Sequence, residues 1–330
     1  MVQADIDTRT ERRHKQGDRI TGHWDGMRYY QSNKRFVEID DISAEIFSMW
    51  AGRILITAEN KKWTLVAAKA ATGFATSIIM SPAEAAIERF LPPEKTPDGR
   101  LGVLIQVYNR TLKELENQIR LRIGQCIMTC PTTAVYDALP NTRKRLKIGR
   151  SLSLYGDGFQ RKNKIGDRRI WRVPVMEGEF IIEDKFGAVM AAAGGTLFLM
   201  ADSQKAGLQA ATRVVDAVFQ KVEEVIMPFP GGICRSGSKV GSLRYKLGAS
   251  TNHPYCPTLR RIVPDSRVPE GVECVYEIVI NGLTLEAVKK AMSEGVKVAV
   301  ETFGLKRISA ANFGGKLGPY KVPLRETLTL

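Results

Sequence analysis

Histidine is scarce in this chain: three in 330 residues, with His14 and His23 both near the N-terminus. Only His253 is left in the body, so a multi-histidine metal centre or a nucleophile relayed through histidine is disfavoured. Cysteine is also sparse. Cys126, Cys130, Cys234, Cys256 and Cys274 are odd in number, and no two are spaced C-x-x-C. Free, buried thiols in a reducing compartment are expected, with Cys126 and Cys130 packing in a core. No apolar run approaches the roughly 18 residues of a membrane span. Met1 to Arg19 is polar and of mixed charge, without the apolar stretch of a secretory signal, so a cytoplasmic location is expected and a membrane role is not. The phosphate-loop pattern G-x-x-x-x-G-K-[ST] is absent, which disfavours nucleotide hydrolysis. Chemistry on this chain falls to carboxylates, hydroxyls, lysines and backbone dipoles.

Core-forming residues, by contrast, are plentiful. Hydrophobic residues are 44% and charged residues 25%, enough for one large domain or two ordinary ones. The net charge of +14 is concentrated. Residues 141–172 hold eleven Lys/Arg against two acids, and residues 1–36 hold eight against five. A solvated hairpin surface explains the first stretch; docking to an acidic partner or to nucleic acid is the sharper alternative.

An internal repeat gives the architecture. Shifted by 143 positions, residues 39–72 match residues 182–215: Ile39 meets Ile182, Asp41 meets Asp184, and Gly52 meets Gly195. In each copy an apolar run follows the glycine, then Glu59-Asn60 or Asp202-Ser203 precedes apolar residues at helical spacing. That is the grammar of a buried strand followed by an N-capped helix. Second strands are expected at Ala75–Met80 and at Val225–Met227. Further strands are expected at 102–109 and 272–281, each followed by a helix, to about Arg122 and about Glu301 respectively. A closing strand is expected near 305–312. The fold class expected is α+β, two ferredoxin-like (split βαβ) lobes from an internal duplication, with helices on one face of a mainly antiparallel sheet. The division expected is an arm at 1–36, a first lobe at 37–178 with a basic hairpin inserted, and a second lobe at 179–330.

Several loops combine glycine with hydroxyls and lysine: Gly231-Gly232 leading to Ser236, Ser238 and Lys239, and Gly314-Gly315-Lys316. Such loops let backbone amides approach an anion, although turn geometry alone also explains them. Gly194-Gly195 enters the first strand of the second half, where close packing is the other explanation. Glu277 stands out because it sits in Cys274-Val275-Tyr276-Glu277-Ile278-Val279-Ile280. A carboxylate flanked by six apolar residues is expected to be partly desolvated, with a raised pKa suited to moving protons near neutrality. Plain alternation on an exposed strand face is the competing reading.

These segments resemble the formylmethanofuran:tetrahydromethanopterin formyltransferase family. The resemblance spans roughly residues 37–330. It rests on Thr72–Arg89, Pro97–Arg100, Ile123–Cys126, Pro131–Val135, Val173–Phe180, the Pro228–Gly241 loop, Val275–Leu283 and Gly314–Gly318. It implies transfer of a formyl group between methanofuran and the ring nitrogen of tetrahydromethanopterin, both acting as coenzyme substrates, with no metal and no bound prosthetic group. It also implies a homo-oligomer, dimer or tetramer, with a cleft near a subunit interface. There a buried glutamate, Glu277 by motif, handles protons. Gly194, Gly195, Gly231, Gly232, Ser236, Ser238, Lys239, Asn281, Gly314, Gly315 and Lys316 are the substrate-binding candidates, with Ser238, Asn281 and the glycine-loop amides as donors to the oxyanion. The chain departs from the family pattern in its first 36 residues, in Thr196 where asparagine is common, in the basic stretch and in its positive charge.

Two other functions stay open on the sequence. One is a subunit of a bacterial formyltransferase/hydrolase complex, docking to hydrolase subunits, or to formylmethanofuran dehydrogenase. The other is a non-catalytic anion- or nucleic-acid-binding protein. Its support is the basic stretch alone, because no RNA-recognition motif of the Lys/Arg-aromatic type is present.

Overall fold

The computed structural model describes residues 19–24, 27–32, 35–237, 244–246, 248, 252–315 and 318–328. The chain opens with strands β1 (Arg19–Trp24), β2 (Met27–Ser32) and β3 (Arg35–Asp40). The first half is β4 (Ser43–Thr57), α1 (Lys61–Thr72), β5 (Glu84–Leu91), β6 (Gly102–Asn109), α2 (Leu112–Arg122) and β7 (Ala134–Asp137). Then come β8 (Lys144–Leu146), α3 (Ile148–Leu152), β9 (Arg161–Ile165), β10 (Arg168–Val175) and β11 (Gly178–Glu183). The second half is β12 (Phe186–Ala201), α4 (Gln204–Lys221), β13 (Val225–Ile226), β14 (Cys274–Gly282), α5 (Leu285–Ala299) and β15 (Leu305–Ser309), with β16 (Tyr320–Pro323) near the end.

Both halves pair their strands in the same way. In the first, β4 lies between β7 and β6, and β5 lies outside β6, all antiparallel. In the second, β12 lies between β15 and β14, and β13 lies outside β14, again antiparallel. The helices start where the repeat places N-caps. Asn60 accepts from the Lys62 and Trp63 amides, and Ser203 from the Ala206 amide. Thr111 and Thr284 cap α2 and α5 in the same manner. Each such cap satisfies amides that the helix itself cannot.

The two long strands join the halves. Phe47–Ala51 of β4 pairs antiparallel with Val189–Ala193 of β12, so one sheet runs through the molecule. Helices α1 and α2 cover the first half, where Leu115 and Ile119 of α2 join Ile54 and Ile105 of the sheet in one core; α4 and α5 cover the second, where Val288 and Val296 of α5 join Leu197 and Ile278. The other face of β12 and β14 is left to loops, and Phe198 stacks there on Tyr255 at 4.0 Å. That loop-covered face builds the site.

Two expectations change. Residues 75–83 form turns, and the strand starts only at Glu84. Phe74 has a left-handed φ of 44°, and the Ser81 hydroxyl lies 2.7 Å from both the Ser77 and Ala83 carbonyls, sharing its one hydrogen between them and folding the apolar run into a loop. The segment placed outside both repeats is not wholly an arm. Strand β1 pairs with β2, β2 with β3, and β3 parallel with β15, so β1 and β2 extend the sheet of their own chain. The basic stretch does contain a hairpin, β9–β10, which continues through β11 to β7. No helix among the described residues is long and apolar enough to cross a membrane.

Candidate active site

Strand alternation sends Glu277 and Val279 of β14 to the loop-covered face, with Thr196 and Phe198 of β12 directly opposite them. The strand-like segment around Cys234 then bonds to Glu277 by both backbone groups, at 2.8 and 2.9 Å. This rung sets the Ser236 hydroxyl 2.8 Å from Glu277 Oε2, to which it donates. Asn252 Nδ2 donates to the same oxygen at 3.1 Å and lies 3.1 Å from the Ser236 hydroxyl.

Glu277 is one wall residue of a cavity of about 570 Å³. Phe47, Met49, Ile78, Phe229 and Phe313 supply apolar surface, while Ser77, Glu84, Arg110, Ser236 and Asn252 supply polar groups. Burial pushes the Glu277 carboxyl above the ordinary glutamate range, against the hydrogen bonds from Ser236, Cys234 and Asn252, which favour its ionised form. No lysine or arginine pairs with it among the described residues. The Cys234 thiol, buried and beside this carboxylate, is pushed up to about 12 and is therefore not a nucleophile near neutrality.

A second carboxylate enters the same cavity. Glu84 accepts from the Ile78 amide at 3.0 Å and from Asn281 Nδ2 at 2.7 Å. Asn281 Oδ1 in turn accepts from the Gly194 amide at 2.9 Å. Burial raises the Glu84 pKa as well, and Arg110 works the other way. Nothing in the sequence singles out Glu84, because its partner lies 197 residues along the chain. Asn252 and Arg110 are likewise invisible to motif reading.

The other expected residues divide. Gly194, with φ of 89°, and Ser236 line the cavity. Gly195 does not: a Cβ there would fall 2.5 Å from Val288 Cγ1, so its role is to let α5 approach β12. Asn281 is fully buried and holds Gly194 and Glu84 instead of facing the cavity. Gly231 and Gly232 form a tight turn with φ of 63° and 78°, and the Gly232 amide donates to the Phe229 carbonyl. The Gly314–Gly315 turn wraps a carboxylate of the protein's own. Buried Glu45 accepts from the Phe313 and Gly318 amides, while the Gly314 amide donates to Asn312 Oδ1. The amides of Gly194, Gly232 and Gly314 expected to meet an oxyanion thus have partners within the chain. Ser238, Lys239 and Lys316 lie outside the described residues.

Comparison with known proteins shows the family. The family model described as formylmethanofuran-tetrahydromethanopterin formyltransferase matches residues 33–175, and the model of that enzyme's proximal lobe matches residues 178–327. The formylmethanofuran--tetrahydromethanopterin formyltransferase of Methanopyrus kandleri is 52% identical over 294 residues, 88% of this chain and 98% of that protein. The solved enzyme from Methanosarcina barkeri is 48% identical with a TM-score of 0.85, covering 88% of this chain and 98% of that one. A chain of the formyltransferase/hydrolase complex from Methylorubrum extorquens, solved with methylofuran, is 39% identical with a TM-score of 0.85, covering 91% and 99%. The chain belongs to the formylmethanofuran–tetrahydromethanopterin formyltransferase family.

Proposed function

We propose that this protein transfers a formyl group between formylmethanofuran and the ring nitrogen of tetrahydromethanopterin in one-carbon metabolism. The observation that carries the mechanism is Glu277, a carboxyl of raised pKa at the wall of an apolar cavity, unpaired with any cation among the described residues. In acyl transfer between amines the attacking nitrogen forms a C–N bond to the formyl carbon, giving a tetrahedral oxyanion. The C–N bond to the leaving amine then breaks. One proton must leave the attacking nitrogen and one must reach the leaving nitrogen. Ionised Glu277 takes the first and delivers it as the second, which balances the reaction with no other acid or base. The hydrogens of Ser236 and Asn252 are held by Glu277 and by the Ser236 oxygen, so the Ser77 hydroxyl at the wall replaces the glycine amides as donor to the oxyanion. Arg110, exposed at the cavity, meets the anionic tails of the coenzymes. Every step in this scheme uses side chains and the two coenzymes, without a prosthetic group.

The shared strand order supports reading the two halves as ferredoxin-like lobes from a duplication, near 37–178 and 179–330. Phe74 and Met80 are 75% and 70% exposed in the loop that supplies Ile78 and Ile79 to the cavity. This apolar surface favours a homo-oligomer, dimer or tetramer, whose neighbouring copy covers it. Free cysteines accord with a cytoplasmic location. A relative solved within a formyltransferase/hydrolase complex supports the second reading, that this chain works beside hydrolase subunits. The deciding experiment is an absorbance assay of formyl transfer to tetrahydromethanopterin by the purified chain alone. Turnover without added subunits establishes the first reading, and turnover only with them the second.

A further inference from the structure

The basic stretch folds into a hairpin whose two faces treat charge in opposite ways. On one face Arg161 and Arg172 both pair with Glu179, and Arg168 pairs with Glu183. On the other, Lys164 stands directly opposite Arg169, and Lys162 directly opposite Trp171. Helix α3 faces this second side, its Arg150 amide bonded to the Asp184 carbonyl. Between them lies a groove of about 680 Å³, separate from the catalytic cavity in every lining residue.

Six cations line that groove: Lys147, Arg150, Lys162, Lys164, Arg169 and Lys185. None of the six makes an ion pair among the described residues. The one acid in the lining, Asp184, accepts from Trp171 Nε1 at 2.7 Å. Like charges placed opposite one another destabilise a ladder, so the Lys164–Arg169 pair is a cost that folding does not require. The arginines a residue away show that this hairpin is able to neutralise its cations.

We propose that this groove is a docking site for an extended acidic segment of a partner protein. Lys162 and Lys164 stand about 7 Å apart on one face of a strand. Carboxylates at alternate positions of an extended chain have the same period. Apolar anchors adjoin the groove along the chain: Leu154, Tyr155 and Phe159, between α3 and β9, are each more than half exposed. A groove with six cations and one acid in its lining is electrostatically complementary to an acidic partner. Nucleic acid fits less well. Binding of single strands relies on open aromatic faces, whereas Trp171 is half-buried, its ring lies under Lys162 Nζ at 5.1 Å, and its N–H is engaged.

The test is fluorescence anisotropy of a labelled peptide of about twelve residues, with glutamate at every second position, titrated with the whole chain. Binding is expected at about 20 mM salt and should weaken at least about fivefold by about 200 mM, as screening requires. The double variant Lys162→Glu/Lys164→Glu should lose at least about tenfold in affinity. It should keep the formyl-transfer turnover of the wild type, with a melting temperature no lower, because a glutamate at position 164 would face Arg169 as an opposite charge. Lys162→Gln/Lys164→Gln, milder for folding, should show a smaller loss in the same direction, and Lys69→Glu on exposed α1 should bind like wild type. No binding at low salt overturns the proposal. Binding indifferent to both double variants overturns it as well. A single-stranded DNA of equal charge binding as tightly as the peptide reassigns the groove to nucleic acid.

Discussion

Asn281 Nδ2 donates to Glu84 Oε2 at 2.7 Å, and this bond ties β14 of the second half to β5 of the first. It is the middle of a chain whose ends cannot be reversed. The Ile78 amide donates at one end, and the Gly194 amide at the other. Two backbone donors at the ends leave one arrangement: both Glu84 oxygens accept, and Asn281 accepts through Oδ1 and donates through Nδ2. Glu84→Gln therefore turns an NH2 toward a donor despite its matching shape. A loss of about 1–3 kcal/mol is expected, the cost of an unsatisfied buried group. Thermal or urea unfolding measures it, and a variant as stable as wild type means the network is not needed.

Replacing Glu277 by glutamine keeps size and polarity but removes titration. Turnover should fall about 100-fold or more, with smaller changes in the Michaelis constants, the usual scale for a general acid–base group. Glu273→Gln is the control. Glu273 is exposed in the segment leading into β14, with Arg260 at 3.7 Å, and the variant should stay near wild type. Retention of more than about a third of the wild-type rate by Glu277→Gln would place proton transfer elsewhere.

The raised pKa of Glu277 has a sign for activity and another for stability. As a base it must be ionised, so kcat/KM should rise with pH through a value above the ordinary glutamate range of about 4.3. That limb should vanish in Glu277→Gln. For stability, the folded state keeps a proton that the unfolded chain has already released. The stabilisation is full below the unfolded pKa and is lost as pH rises through the folded one. Melting temperatures of Glu277→Gln and wild type should thus be close near about pH 4, with the variant higher by about pH 8.

Gly194 and Gly195 are neighbours with different duties, and alanine separates them. Gly195→Ala drives a methyl into Val288 and should cost about 1–3 kcal/mol, the range for overpacking, with Michaelis constants unchanged. Gly194→Ala strains a backbone at φ of 89° and brings a methyl 3.0 Å from the Phe47 ring in the cavity wall. It should raise the Michaelis constants. Steady-state kinetics alongside melting curves distinguish the two, and equal kinetic effects would contradict the assignment.

Electrostatic capture of anionic coenzymes predicts Michaelis constants that rise with sodium chloride below about 0.2 M. Arg110→Gln should raise the constants at low salt and flatten that dependence. An unchanged salt profile in the variant would remove Arg110 from substrate capture.

The repeat made much of the fold legible. Asn60 and Ser203 sit at one place in both copies because a buried strand running into a helix needs a cap there. Glu277 was legible for a related reason, since a lone carboxylate in an apolar strand has few places to go. Composition failed where two structures share it. Ala75–Met80 reads like a strand, and only the Phe74 backbone and the Ser81 hydroxyl bonds make it a loop. Glycine loops failed for another reason. Whether an amide faces a ligand or a carboxylate of the chain depends on residues far away, and Glu45 reaches the Phe313 amide across 268 positions. Asn281, expected as a donor to substrate, bonds Glu84 and the Gly194 amide, and its partner on β5 gives no local signal.

The ladder joining β4 to β12 is symmetric about its own middle. Ser48 faces Ala192 and Met49 faces Ala191, and under the repeat shift Ala191 is the counterpart of Ser48 and Ala192 of Met49. A half-turn about an axis between these pairs carries the ladder onto itself. A half-length chain meeting its own copy there would form two equal clefts, one on each side. In this chain the two sides differ in what their strands pair. Phe198 stands opposite Glu277, while its counterpart Leu55 stands opposite Leu104. One side carries the carboxylate and the other a buried methyl-bearing side chain. The first half contributes Phe47, Met49, Ser77, Glu84 and Arg110 to the wall of a cleft whose Glu277 comes from the second half.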